Sequence, residues 1–77
     1  MSKKSQLKRA IEDCEREIEA YEHKRERSQT SIMRSMLAGK KPSTEDEQYF
    51  TMFSNLIDQE REKLRQLRAE LAELNKK

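Results

Sequence analysis

The sequence of 77 residues contains one cysteine, one glycine, one proline, one histidine, no tryptophan, and only two tyrosines and two phenylalanines. Each scarcity excludes something. A single Cys14 closes no internal disulfide. With one Gly there is no glycine-rich phosphate loop, and one His with one Cys leaves little from which to build a zinc-ligand set or a catalytic site. No stretch approaches the ~20 apolar residues that span a bilayer, and the N-terminal residues lack the apolar segment of a signal peptide. The expectation is a non-enzymatic, soluble, cytoplasmic protein that needs no cofactor and no metal.

Charge of one sign is also missing. Seventeen Lys and Arg against fifteen Asp and Glu leave a net charge of +2, with the signs interleaved. A dedicated nucleic-acid binder shows a stronger basic bias. The candidate basic residues, Lys3, Lys4, Lys8, Arg9, Lys24, Arg27 and Arg34, are interrupted by Glu15, Glu17, Glu19, Glu22 and Glu26, and no aromatic residue stands among them for base stacking. Nucleic acid is therefore not the expected partner.

What is present is periodicity. A chain that is 42% charged and 32% hydrophobic is disordered if its apolar residues are scattered, and folds if they share a helical face. Leu7, Ile11, Cys14, Ile18, Tyr21, Arg25, Ser28 and Ile32 alternate at spacings of four and three, as do Phe50, Phe53, Ile57, Glu60, Leu64, Leu67, Leu71 and Leu74. Both series are coiled-coil seams. The only Gly and Pro, at 39 and 42, fall between them. Gly39 suits the left-handed residue that closes a helix, and Thr44 with Glu47 reads as a capping box with acids in the first turn. The expected fold is all-α: one antiparallel two-helix hairpin spanning residues 1–77, with helices at about 4–38 and 44–75 and a turn at 39–43.

Antiparallel pairing makes opposed seam positions sum to a constant. A sum of 85 pairs Ile11 with Leu74, Cys14 with Leu71, Ile18 with Leu67 and Tyr21 with Leu64, and it matches the one charge in each seam, Arg25 with Glu60. That register predicts an Arg25–Glu60 pair whose value is orientation rather than net stability. The alternative is that both charged heads snorkel to solvent.

The apolar residues are unevenly distributed. Far from the turn only the seam is apolar; near it Met33, Met36 and Leu37 join Tyr49, Met52 and Leu56 beside the seam. That surplus has interface composition, with methionines as an adaptable lining. Two coverings are open: a second copy, giving a homodimeric four-helix bundle with a structural or RNA-binding role, or a different α-helical protein. Cys14 reads as a small buried thiol, and His23, between Glu22 and Lys24, as a solvated side chain.

The segment Leu37-Ala38-Gly39-Lys40-Lys41-Pro42, followed by Glu47-Gln48-Tyr49-Phe50 and a charged amphipathic helix, resembles the small E-component (YscE-like) proteins of bacterial type III secretion systems over roughly residues 28–70. This chain differs in its long, highly charged first helix and its longer turn. The resemblance implies a cytoplasmic helical hairpin that stabilises a larger tetratricopeptide-like G-component, and through it a needle subunit awaiting export. It would make Met33, Leu37, Tyr49, Met52 and Leu56 the docking surface.

Overall fold

A computed structural model describes residues 2–76 of the chain. Two helices make up the fold, α1 from Lys3 to Leu37 and α2 from Thr44 to Asn75, packed as an antiparallel hairpin with principal extents of 59 × 16 × 16 Å. Among the described residues no helix is long and apolar enough to cross a membrane.

Both helices are closed by side chains and turn chemistry that the sequence carries. Ser2 caps α1, its hydroxyl accepting from the Ser5 N–H at 3.1 Å. At the other end Gly39 takes φ +72°, its N–H bonding the Met36 carbonyl at 3.0 Å, while the Lys40 N–H reaches the Ser35 carbonyl at 2.8 Å. That doubly bonded ending needs a left-handed residue, which Gly supplies without steric cost.

The start of α2 corrects the expected cap. Ser43, not Thr44, is the cap, accepting from the Asp46 N–H at 3.1 Å. The acid three residues on is thus Asp46 rather than Glu47, and its carboxylate also accepts from the Ser31 hydroxyl of α1 at 2.7 Å. A cap at Thr44 would have moved that clasp out of place. Serine also outranks threonine as a cap, because the unbranched side chain adopts the required rotamer more freely.

The seam is real, but its register is one heptad from the expected one. Cys14, Ile18, Ile57 and Leu64 form the buried centre, with Ile11, Tyr21 and Leu67 packed against it. Cross-helix contacts carry residue-number sums of 74 for Cys14–Glu60 and Tyr21–Phe53, 77 for Ser31–Asp46, and 83 for Glu15–Arg68 and Glu22–Arg61. They bracket a sum of 78, not 85. Arg25 and Glu60 consequently do not pair. Glu60 lies against Cys14, eleven residues or about 16 Å along α1 from Arg25, and the Arg25 guanidinium instead sits 6.0 Å from the centre of the Phe50 ring.

Burial decides between the two registers. Leu7 is only 7% exposed, and a sum of 78 sets it opposite Leu71. A sum of 85 puts nothing of α2 opposite it, since that helix ends at Asn75. Each fully buried Leu contributes roughly 1.5–3 kcal/mol, whereas a partly exposed ion pair contributes at most about 1 kcal/mol. The apolar match therefore outweighs the charge match.

The register is open to a direct check. Under dilute, mildly oxidising conditions, Leu64→Cys should form an intrachain disulfide with Cys14, and Leu71→Cys, about 10 Å further along α2, should not; gel mobility before and after reduction reads the result. Thermal or urea melts should likewise show Ser43→Ala costing about 1 kcal/mol, with Thr44→Ala costing only a few tenths.

Candidate protein-binding surface at the turn end

The hairpin divides along its length. In the half distal to the turn, several charged side chains pair with one another. Arg68 meets Glu15 at 3.1 Å, Arg61 meets Glu22 at 3.7 Å, Arg65 holds Glu62 through two nitrogens at 2.6 and 3.1 Å, and Arg16 pairs with Asp13. The Arg65 guanidinium holds the Glu62 carboxyl below its ordinary value. Between these charges, the seam is apolar and buried.

Toward the turn the pattern inverts. Met33, Met36, Leu37, Tyr49 and Met52 are 53, 64, 87, 44 and 43% exposed, and they are the exposed large hydrophobic residues of the chain's described part. Leu56 is half-buried, as are the seam residues Ile32, Phe50 and Phe53. Residues 48–57 of α2 carry no charge on any face, in a chain that is 42% charged. A helix segment neutral all round is suited to burial on more sides than α1 covers.

The structure does not gather the six expected residues into one patch. Met36 lies two heptads from Glu22, on the flank marked by the Glu15–Arg68 and Glu22–Arg61 pairs. Met33 lies beside it, and Leu37 faces outward at the helix end. Tyr49 lies on the opposite flank, in a shallow groove lined by Lys24, Arg27, Ser28, Asp46 and Phe53. Leu56 and Met52 continue that flank at helical spacing. The seam therefore separates Met33, Met36 and Leu37 from Tyr49, Met52 and Leu56.

The second flank is preorganised by aromatic packing. Phe53 stacks between Tyr49 and Tyr21, with both centroid separations at 6.2 Å, and the Lys24 ammonium lies 5.9 Å from its ring centre. The Tyr49–Phe53 contact, worth roughly 0.5–1.5 kcal/mol, braces one face of the otherwise exposed Tyr49. The sequence pattern pointed to Tyr49 but not to this ladder, which arises from the register.

The chain's histidine and cysteine are placed away from this surface's chemistry. His23 is exposed, with Glu19 at 3.9 Å. No group of three or more His, Cys, Asp or Glu side chains among the described residues is arranged to hold a metal ion. Cys14, 2% exposed, donates to both the backbone carbonyl and the carboxylate of Glu60 at 3.2 Å, rather than facing Leu71 as the other register required. Burial, then the Glu60 hydrogen bond and its charge, push the thiol from 9.0 up to about 11. The chain matches no protein-family model, no curated protein and no solved structure.

The raised thiol has a signed consequence. Its neutral form contributes stability that is fully present below pH 9 and is lost as pH rises toward about 11, because the unfolded thiol ionises first. The difference in melting temperature between the native chain and Cys14→Ala should therefore shrink between those two values. Iodoacetamide should alkylate the native thiol at pH 8 at least about tenfold more slowly than the urea-unfolded chain.

Proposed function

We propose that this protein is a non-enzymatic binding module, an adaptor or co-chaperone whose turn end docks on an α-helical partner. The observation that carries the reading is that, among the described residues, the five exposed large hydrophobic side chains all fall at positions 33–52, on either side of the turn, in a highly charged chain. Depletion of charge together with methionine and tyrosine enrichment is the composition of an interface core. A hairpin of this size also gains stability from a partner, since its single seam only narrowly offsets the conformational entropy lost on folding.

The resemblance of residues 28–70 to the E-components of type III secretion systems gives the partner a concrete form. In that reading the chain stabilises a tetratricopeptide-like chaperone, and acts on the needle subunit only indirectly, in the bacterial cytoplasm. Met33, Met36, Leu37, Tyr49, Met52 and Leu56 would carry the contact. The proposal concerns the turn end alone and leaves the charged distal half as scaffold.

Affinity capture of the tagged chain from its native cells should recover a tetratricopeptide-like protein together with a short secreted subunit. Met33→Asp with Met36→Asp, or Tyr49→Asp with Met52→Asp, should weaken recovery at least about tenfold, because a charge buried in an interface core costs 2 kcal/mol or more. Those side chains are exposed in the free hairpin, so its helicity should be unchanged. Recovery of self-assembled chain only, unaffected by either pair of substitutions, would refute the reading.

A further inference from the structure

The flank that carries Tyr49 continues in both directions along α2 as a ridge the hairpin leaves unused. Glu45, Tyr49, Met52, Leu56, Gln59 and Lys63 follow one another at spacings of four, three, four, three and four, a second heptad stripe beside the seam and about 27 Å long. Tyr49 and Met52 are the exposed centre, with Leu56 half-buried between them and the polar ends. Neither Glu45 nor Lys63 enters any ion pair formed among the described residues. The opposite flank differs in carrying the two cross-helix ion pairs, Glu15–Arg68 and Glu22–Arg61.

Read backwards, the ridge is its own complement. We propose that it binds a second copy of this chain, α2 against α2 and antiparallel. Glu45 of one copy then faces Lys63 of the other, Tyr49 faces Gln59, and Met52 faces Leu56. A twofold axis makes each contact occur twice, as a self-complementary interface requires. Parallel packing of the same ridge would set Glu45 beside Glu45 and Lys63 beside Lys63, so charge selects the antiparallel arrangement. Contact between two helices over about 27 Å buries less than the ~1,600 Å² of a standard interface, so the expected dimer is of the small, reversible kind. Tyr49, Met52 and Leu56 are shared with the surface proposed for the hetero-partner, so a second copy and that partner compete for this flank, while Met33, Met36 and Leu37 stay open in the dimer.

Charge reversal with rescue tests it. Sedimentation equilibrium from about 5 to about 500 µM, at about 50 mM NaCl, should show a monomer–dimer equilibrium. Glu45→Lys alone and Lys63→Glu alone should each raise the dimer Kd about fivefold or more, since each turns two attractive contacts repulsive. The double variant, Glu45→Lys with Lys63→Glu, should return within about twofold of the native value. Any loss of helix–dipole stabilisation from Glu45→Lys persists in the double variant, so rescue reads the pairing and not the helix. A chain that is monomeric throughout, single reversals without effect, or a double variant that fails to recover would each overturn the proposal. Glu45 and Lys63 lie outside the six residues proposed for the hetero-partner, so the reversals test the dimer while leaving those six side chains intact, and partner capture by the same variants reads the other site separately.

Discussion

Everything in this hairpin depends on one narrow apolar seam and on the register in which its two sides meet. With no second layer of structure, the central cluster of Cys14, Ile18, Ile57 and Leu64 supplies most of the burial that offsets the conformational entropy of two long helices. Ile57 is wholly removed from solvent and Cys14 nearly so. A heptad pattern fixes which faces meet but leaves the register ambiguous by multiples of seven. Turn length, end burial and polar matches must choose among the allowed offsets. Here the choice buries Leu7 and brings the N-terminal turns of α1 alongside the end of α2.

That choice explains how the charged seam positions are accommodated. Glu60 and Arg25 each interrupt the seam, and each finds a partner that keeps its head near the surface. Glu60 accepts from the Cys14 thiol, and Arg25 lies over the Phe50 ring. An ion pair between them would have required two side chains to be ordered in a half-wet layer for a small net gain. The polar seam residues thus help to hold the chosen register without meeting one another.

The sequence made much of this legible, for identifiable reasons. The two seams, the break at Gly39–Pro42 and the left-handed Gly39 follow from local rules whose residue preferences are strong. The helix limits accordingly differ from expectation by a residue at most. The register was less legible because the matched charges satisfied a rule about signs, whereas the energetic decision lay with an apolar residue near the chain's start. The cap moved by one residue because Ser43 and Thr44 are both good caps, and only the Ser31–Asp46 clasp across the helices separates them. The six turn-end residues were identifiable by composition. Their division between two flanks depends on their angular positions about α1 and α2, which a count of apolar residues omits.

That division constrains how the turn end can be covered. A flat partner lying on one side of the hairpin conceals either Met33 and Met36 or Tyr49 and Leu56, and leaves the other set in water. The two flanks also differ in length and polarity. One is a short methionine-rich cluster at the end of α1, and the other a long ridge on α2 with an acid at one end and a base at the other. A short apolar cluster suits insertion into a recess, where a few adaptable side chains dominate the energy. A long ridge with complementary ends suits another helix, where register and direction are set by charge. Two occupants of different kinds would cover both surfaces, whereas a single partner reaching all six side chains has to wrap the turn end and displace a second copy from the ridge.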